Sequence, residues 1–403
     1  MLILYNQKAT AFPSFIKNLN QKNERLVYLD AIRAFAMLFG IFVHGTTIAT
    51  PFVAQMPIFG WIQGASELFR VAIFFLISGF FTALVFSKVS LQFYVRSRFE
   101  ILVIPLLSSM VLIVPVTNWM IHSWHNGYIS PLNYFTGGWR NPTIGNDTWA
   151  LHIWFLFSLV IYAAVAPLFM RMIGSVFFQR IMNLYLDRTA GFTIWTNVLI
   201  FSIAIMLGRA AYDQGFRYIF DDTSLSWIVR ATLFHTPMFF LGMIAFSNPR
   251  FLSSISIFSI QGIAVFSVLY WAINTYGVDL PHALERVLYW FIRGGLSVFV
   301  IASIIYFFER FLNTPSKGLS FAVDSAYSFY LFHFTFIYLI AWAVSPFTGN
   351  LYVIYACIVL FATPLTLLWH AFVISKVPLL RFLFTGKRTV RVPTGSKHIA
   401  RPE

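Results

Sequence analysis

The sequence predicts an all-α polytopic membrane protein of about ten transmembrane helices with both termini cytoplasmic, and three observations carry that expectation. The first is composition. Hydrophobic residues make up 59% of the 403 residues and charged residues 10%, with 47 Phe and 12 Trp, which excludes an ordinary soluble globule. The second is the recurrence of apolar windows long enough to cross a bilayer. The third is the uneven distribution of basic residues between alternate connecting segments.

In chain order the windows are residues 31–48, 70–86, 101–121, 152–170, 193–207, 233–246, 252–274, 287–308, 322–344 and 351–374. The fifth and sixth are short for a hydrocarbon layer of about 30 Å. Residues 1–28 are polar and carry Lys8, Lys17, Lys22 and Arg25. They lack the apolar run of a secretory signal, so the first apolar segment is expected to stay as an anchor. With this tail inside, most of the 28 Lys and Arg fall on the cytoplasmic side, leaving Arg70, Arg140, Arg209, Arg217, Arg230 and Arg286 opposite. The net charge of +14 then reflects basic residues facing an anionic leaflet, and no nucleic-acid partner is expected. The expected organisation is a cytoplasmic tail (1–28), a membrane domain (29–375) and a basic cytoplasmic tail (376–403) that begins apolar.

Several chemistries are without support. Cys357 is the sole cysteine, which excludes a disulfide framework and a thiolate cluster. There is no G-x-S-x-G elbow, Walker loop, H-E-x-x-H or acidic metal cage. No metal site is expected, and no cofactor.

The first window, within YLDAIRAFAMLFGIFVH, holds Asp30, Arg33 and His44, and ionisable groups in lipid default to a functional hypothesis. Arg33 and His44 are eleven residues apart, about three helical turns and roughly 16 Å of rise, so both point nearly the same way. Asp30 can pair with Arg33 three residues on. Arg96 and Arg98 in YVRSRFE offer guanidinium forks suited to phosphate just before the third segment, with Glu100 beside them. An acyl-CoA has phosphates at one end and a thioester at the end of a pantetheine arm comparable in length to the Arg33–His44 separation. Its phosphates would lie with Arg33, Arg96 and Arg98, and its thioester near His44.

His152 and His333 belong to helices that can line a shared cavity with His44. The exterior segment 122–151 is aromatic and histidine-rich; His122, Trp124, His125, Tyr128 and Trp139 suit stacking on sugar faces, while other Trp residues nearby read as interfacial anchors. Arg293, one or two turns into the eighth segment, is the spare cation for a donor carboxylate near the thioester, if it is not structurally paired. Ser78 and Gly79 in FFLISGFF permit close helix approach.

The ordered set YLDAIRAFAMLFGIFVH, FFLISGFF, YVRSRFEILVIPL, HIWFLFSLV, HTPMFFLGMIAF and SFYLFHF resembles the membrane acyltransferase type 3 family over residues 28–384. The tail VPLLRFLFTGK and the opening YLDAIRA are most similar to the branch that succinylates osmoregulated periplasmic glucans. The resemblance implies a bacterial inner-membrane enzyme with a cytoplasmic acyl-CoA donor and a periplasmic glucan acceptor. It places the family's Arg and His on Arg33 and His44, and its cytoplasmic Arg pair on Arg96 and Arg98. Many relatives carry a fused periplasmic esterase-like domain; none is present in this sequence, which favours direct transfer. Succinyl as the acyl group rests on the branch resemblance alone.

Alternatives stay open at this point. His44 acts as general base on a sugar hydroxyl, or it accepts the acyl group first. Arg33, His333 and His152 complete the catalytic set as charge or oxyanion partners. An O-acetyltransferase of another polysaccharide remains an option, as does a non-enzymatic glycan flippase, although no inverted repeats are visible. A homo-oligomer is compatible with the sequence.

Overall fold

The structure, a computed structural model, describes residues 26–50, 52–137, 150–220 and 225–388, and all regular structure among them is helical. Most of both expected tails, and Trp139, lie outside the described residues. The helices that matter for the site are α1 (Val27–Gly45), α2 (Pro57–Lys88), α3 (Leu91–Leu112), α4 (Val114–Asn126), α5 (Trp154–Ile173), α6 (Thr193–Ala211), α7 (Ser226–Ser247), α8 (Ile260–Tyr276), α9 (His282–Phe311), α10 (Lys317–Val344), α11 (Leu351–Trp369) and α12 (Pro378–Thr385).

Among the described residues, 8 helices are long and apolar enough to cross a membrane, and the α3–α4 pair, bent by 43°, makes a further span if counted as one. Helix α8, at 17 residues, rises about 26 Å and is marginal for the same task. The exterior of the bundle is apolar: Val111, Leu168 and Leu360 are among many large side chains left exposed. Helices satisfy their own backbone groups, so such a surface is stable in lipid.

Several boundaries differ from the sequence expectation, for identifiable reasons. Helix α2 starts at Pro57, with proline in the first turn where its missing N–H costs nothing. The apolar window had opened only at Arg70, which therefore lies well inside α2 and not at an exterior end. The third window is preceded by ten helical residues and then breaks next to Pro115, whose ring removes a donor and crowds the preceding turn. Helices α6 and α7 are full length where short windows were expected, because each carries polar residues at its outer end. The seventh window splits into a short helix, Pro249–Ser254, and α8.

The core has two apolar clusters, one built largely on α2, α7 and α9 and the other on α10, α11 and α4. Met37 of α1 and Phe155 of α5 pack against both, so they mark the seam. Helices α2 and α7 meet backbone to backbone. A Cβ on Gly79 would strike the Phe239 carbonyl, and one on Gly242 the Leu76 carbonyl. The small-residue approach expected at Gly79 thus has Gly242 as its counterpart. Hydroxyl contacts tie other pairs: Ser158 to Thr232 at 2.7 Å and Thr117 to Thr335 at 2.7 Å.

Candidate active site

Two abutting cavities lie along the seam. The outer, of about 250 Å³, is lined by Arg33, Ser78, Phe81, Arg98, Asp324, Tyr327 and Lys387 among others. The inner, of about 50 Å³, is lined by Gly40, His44, Arg70, His152 and His333. Met37, Phe74, Phe155 and Tyr330 line both.

The helices around them advance in step. Along α1 the lining passes from Arg33 through Met37 to Gly40 and His44; along α10 it passes from Asp324 through Tyr327 and Tyr330 to His333. Helix α2 runs the opposite way, from Thr82 through Ser78 and Phe74 to Arg70. Spacings of three and four residues keep each set on one helix face. The result is a passage parallel to the helices, with guanidinium groups at one end and imidazoles at the other.

At the imidazole end the ring centroids are 5.2 Å apart for His44 and His333, 5.1 Å for His152 and His333, and 6.2 Å for His44 and His152. His333 Nδ1 lies 3.0 Å from the Phe329 carbonyl and 2.8 Å from that of Tyr330. Carbonyls only accept, so Nδ1 carries the proton and neutral His333 presents an unshared pair on Nε2. That Nε2 is buried and has no hydrogen-bond partner among the described residues. Arg70 Nη1 lies 3.5 Å from His44 Nε2, and its Nε donates to Ser66 Oγ at 2.9 Å. Arginine only donates, so the His44 nitrogen facing it is the acceptor.

At the guanidinium end Arg33 pairs with Asp30 at 3.2 Å, as the i, i+3 spacing led one to expect, and lies over the Phe81 ring. Arg98 sits over the Tyr94 ring, and its buried Nε has no acceptor among the described residues. Arg96 separates from Arg98: it is exposed, pairs with Glu100 at 3.2 Å, and does not line the cavity. In its place stands Lys387. Helix α12 turns the chain back, Gly386 at φ 67° ends it, and Lys387 then pairs with Asp324 at 2.6 Å. Arg388 pairs with Glu100 at 2.8 Å. The first part of the expected tail is therefore a docked helix with a cavity-lining residue.

Arg293 is not near His44. It pairs with Glu67 at 2.6 Å, stacks on Trp290 and Tyr289, and lines a separate small cavity with His235. The cation beside His44 is instead Arg70, which hydropathy placed at an exterior helix end. A signal was present: Gln63, Ser66 and Arg70 recur at helical spacing before the apolar run, and Gln63 donates to Thr46 Oγ1 at 2.8 Å.

Of the residues expected to stack on sugar, His122, Trp124 and His125 are on α4 and not in a loop. Trp124 donates to the Ile48 carbonyl at 2.9 Å, and the His122 ring packs at a tilt of 53° against Tyr134. His125 Nε2 lies 3.3 Å from Tyr338 Oη, which in turn lies 3.1 Å from Thr47 Oγ1. Tyr128 is exposed. A polar path thus leaves the imidazole cluster on the side away from Arg33. No group of His, Cys, Asp or Glu among the described residues has the arrangement to hold a metal.

A family described as "Acyltransferase domain" matches residues 26–371. Curated proteins similar to the chain include glucans biosynthesis protein C of Salmonella typhi and of Salmonella typhimurium. Each is 27% identical over 398 residues, covering 91% of this chain and 96% of the relative. The same protein from Salmonella paratyphi B matches at the same identity and coverage. No solved structure matches.

Proposed function

The chain belongs to this acyltransferase family and is a multi-pass membrane acyltransferase, and from that premise we propose that it transfers a succinyl group from cytoplasmic succinyl-CoA to glucose hydroxyls of osmoregulated periplasmic glucans. The observation that carries the reading is the stacked pair of cavities between Arg33 with Arg98 and His44. The similarity to glucans biosynthesis proteins supports a glucan as acceptor, and the branch resemblance supports succinyl.

In this reading ten segments cross the inner membrane with both termini cytoplasmic, α8 and the bent α3–α4 pair included. The phosphates of CoA, the sole co-substrate, meet Arg33 and Arg98 at the cytoplasmic mouth, with Arg96 at the rim. Lys387 exchanges Asp324 for a phosphate. The pantetheine arm passes Met37, Phe74, Phe155 and Tyr330, and the thioester carbonyl reaches the imidazoles. The glucan approaches from the opposite side, along Thr47, Tyr338 and His125, with Tyr128 on the exposed rim.

His44 Nε2 removes the hydroxyl proton as the sugar oxygen attacks the thioester carbonyl. The tetrahedral intermediate collapses by breaking the carbon–sulfur bond, and the CoA thiolate leaves with the proton held on His44. His152, which lines the same cavity, offers a ring N–H to the developing oxyanion.

Sealed inside-out membrane vesicles given labelled succinyl-CoA or acetyl-CoA, with glucan enclosed, test this. Succinyl-glucan is the expected product; acetyl-glucan alone would make it an O-acetyltransferase, and glucan movement with no ester formed would overturn the transfer reading.

A further inference from the structure

Arg70 is a cation near the middle of a 32-residue membrane-spanning helix. Its contacts are the Ser66 hydroxyl and the His44 imidazole. Among the described residues no carboxylate pairs with it, whereas Arg33 has Asp30, Arg209 and Arg286 share Asp213, and Arg293 has Glu67. An uncompensated guanidinium at this depth is costly, and such a residue persists where a ligand or a relay uses it.

The space around it indicates a ligand. A Cβ built on Gly40 would lie 3.4 Å from Arg70 Nη1, 3.6 Å from His333 Nε2 and 3.9 Å from His44 Cδ2. A side chain longer than a methyl group at this position would fill the volume beside the cation and both imidazoles, which glycine leaves open. The inner cavity of about 50 Å³ has room for about three to five waters, the size of a short acyl group and far less than a fatty chain. A guanidinium fork is the side chain best matched to a planar carboxylate.

We propose that Arg70 is the residue that selects the acyl group, by binding the free carboxylate of a short dicarboxylic acyl thioester whose reacting carbonyl lies at His44. This rests on the acyl-CoA reading above and gives it a specificity determinant. In a four-carbon dicarboxylic acyl group the two carbonyl carbons are roughly 4 Å apart when extended, of the same order as the 3.5 Å between Arg70 Nη1 and His44 Nε2. One end then pairs with the cation while the other meets the base. A monocarboxylic acyl group leaves the guanidinium unpaired, so discrimination comes from a buried charge without a partner.

The test compares succinyl-CoA with butyryl-CoA, which replaces the carboxylate by a methyl group, in membranes containing the full chain. Wild type should prefer succinyl by about 30-fold or more in kcat/KM, as expected for a buried charge-assisted pair. In Arg70→Gln that ratio should collapse towards unity, and Arg70→Lys should retain an intermediate preference. Equal use of both donors by wild type would overturn the proposal with acyl transfer intact. Equal losses with both donors in Arg70→Gln would overturn it in favour of a role on the oxyanion or on His44. Failure of wild type with every acyl-CoA would instead remove the donor reading. Should Arg70→Gln not fold, Ser66→Ala, which releases Nε while keeping the charge, should lower the same ratio several-fold, and an unchanged ratio would overturn the proposal.

Discussion

At the scale of single residues, chemistry concentrates on His44 and on what the fold sets around it. His44→Ala removes the imidazole nitrogen that lies 3.5 Å from Arg70 Nη1. Transfer should fall by about 10²-fold or more, the usual worth of a general base, with the thermal midpoint of the detergent-solubilised protein little changed. Wild-type turnover in that variant would take His44 out of the mechanism. Gly40 offers a complementary test by volume. Alanine there meets ordinary contact distances, but the longer side chain of Gly40→Leu must enter the space between Arg70, His333 and His44. Gly40→Ala should keep most activity, and Gly40→Leu should lose it while the chain still inserts and folds. Much of this cluster was legible in the sequence, because His44, His152 and His333 each interrupt an apolar run. Arg70 was harder to see. Hydropathy treats a charge as the end of a span, so the cation beside His44 was assigned to an exterior end.

At the scale of helices, the α2–α7 crossing fixes where Arg70 and Phe74 stand relative to the rest of the seam. Gly79 and Gly242 allow that crossing, since backbone carbonyls of the facing helix occupy the place of each missing Cβ. Backbone cannot move aside as a flexible side chain can, so Gly242→Val should destabilise the protein by about 1–3 kcal/mol, typical of overpacking. Thermal unfolding in detergent measures it; an unaltered midpoint would mean that the helices separate at no cost. The motifs FFLISGFF and HTPMFFLGMIAF were both visible in the sequence, but nothing in either names the other as its partner. The bend between α3 and α4 has a local cause in Pro115, yet only the packed structure shows that it carries His125 to Tyr338.

For the whole molecule, the passage joins two ends of the bundle, and each should answer to a different substrate. Lys387 comes from beyond the last long helix to line the cavity with Arg33 and Arg98. If phosphate replaces Asp324 as its partner, Lys387→Ala should raise KM for acyl-CoA several-fold with kcat nearly unchanged, the signature of lost uniform binding. A fall in kcat at constant KM would place Lys387 outside donor binding. Sidedness follows from the same geometry: in sealed vesicles, donor should be consumed only from the face bearing Lys387, and accessibility of a cysteine introduced at Tyr128 should report the other face. Labelling of both from one side would contradict the passage.

That the chain is a helical membrane protein, which family motifs it carries, and that Arg33 and His44 share a helix face can all be read along the sequence. Those properties are local: hydrophobicity, helical period and residue type suffice. Folding was needed to show that Arg98 enters the cavity while Arg96 stays outside, that Arg293 is committed to Glu67, and that Arg70 stands beside His44 with no carboxylate partner among the described residues. Each depends on which side chain from a distant segment reaches a charge first. Pairing across helices is a property of packing, and no window along one segment contains it.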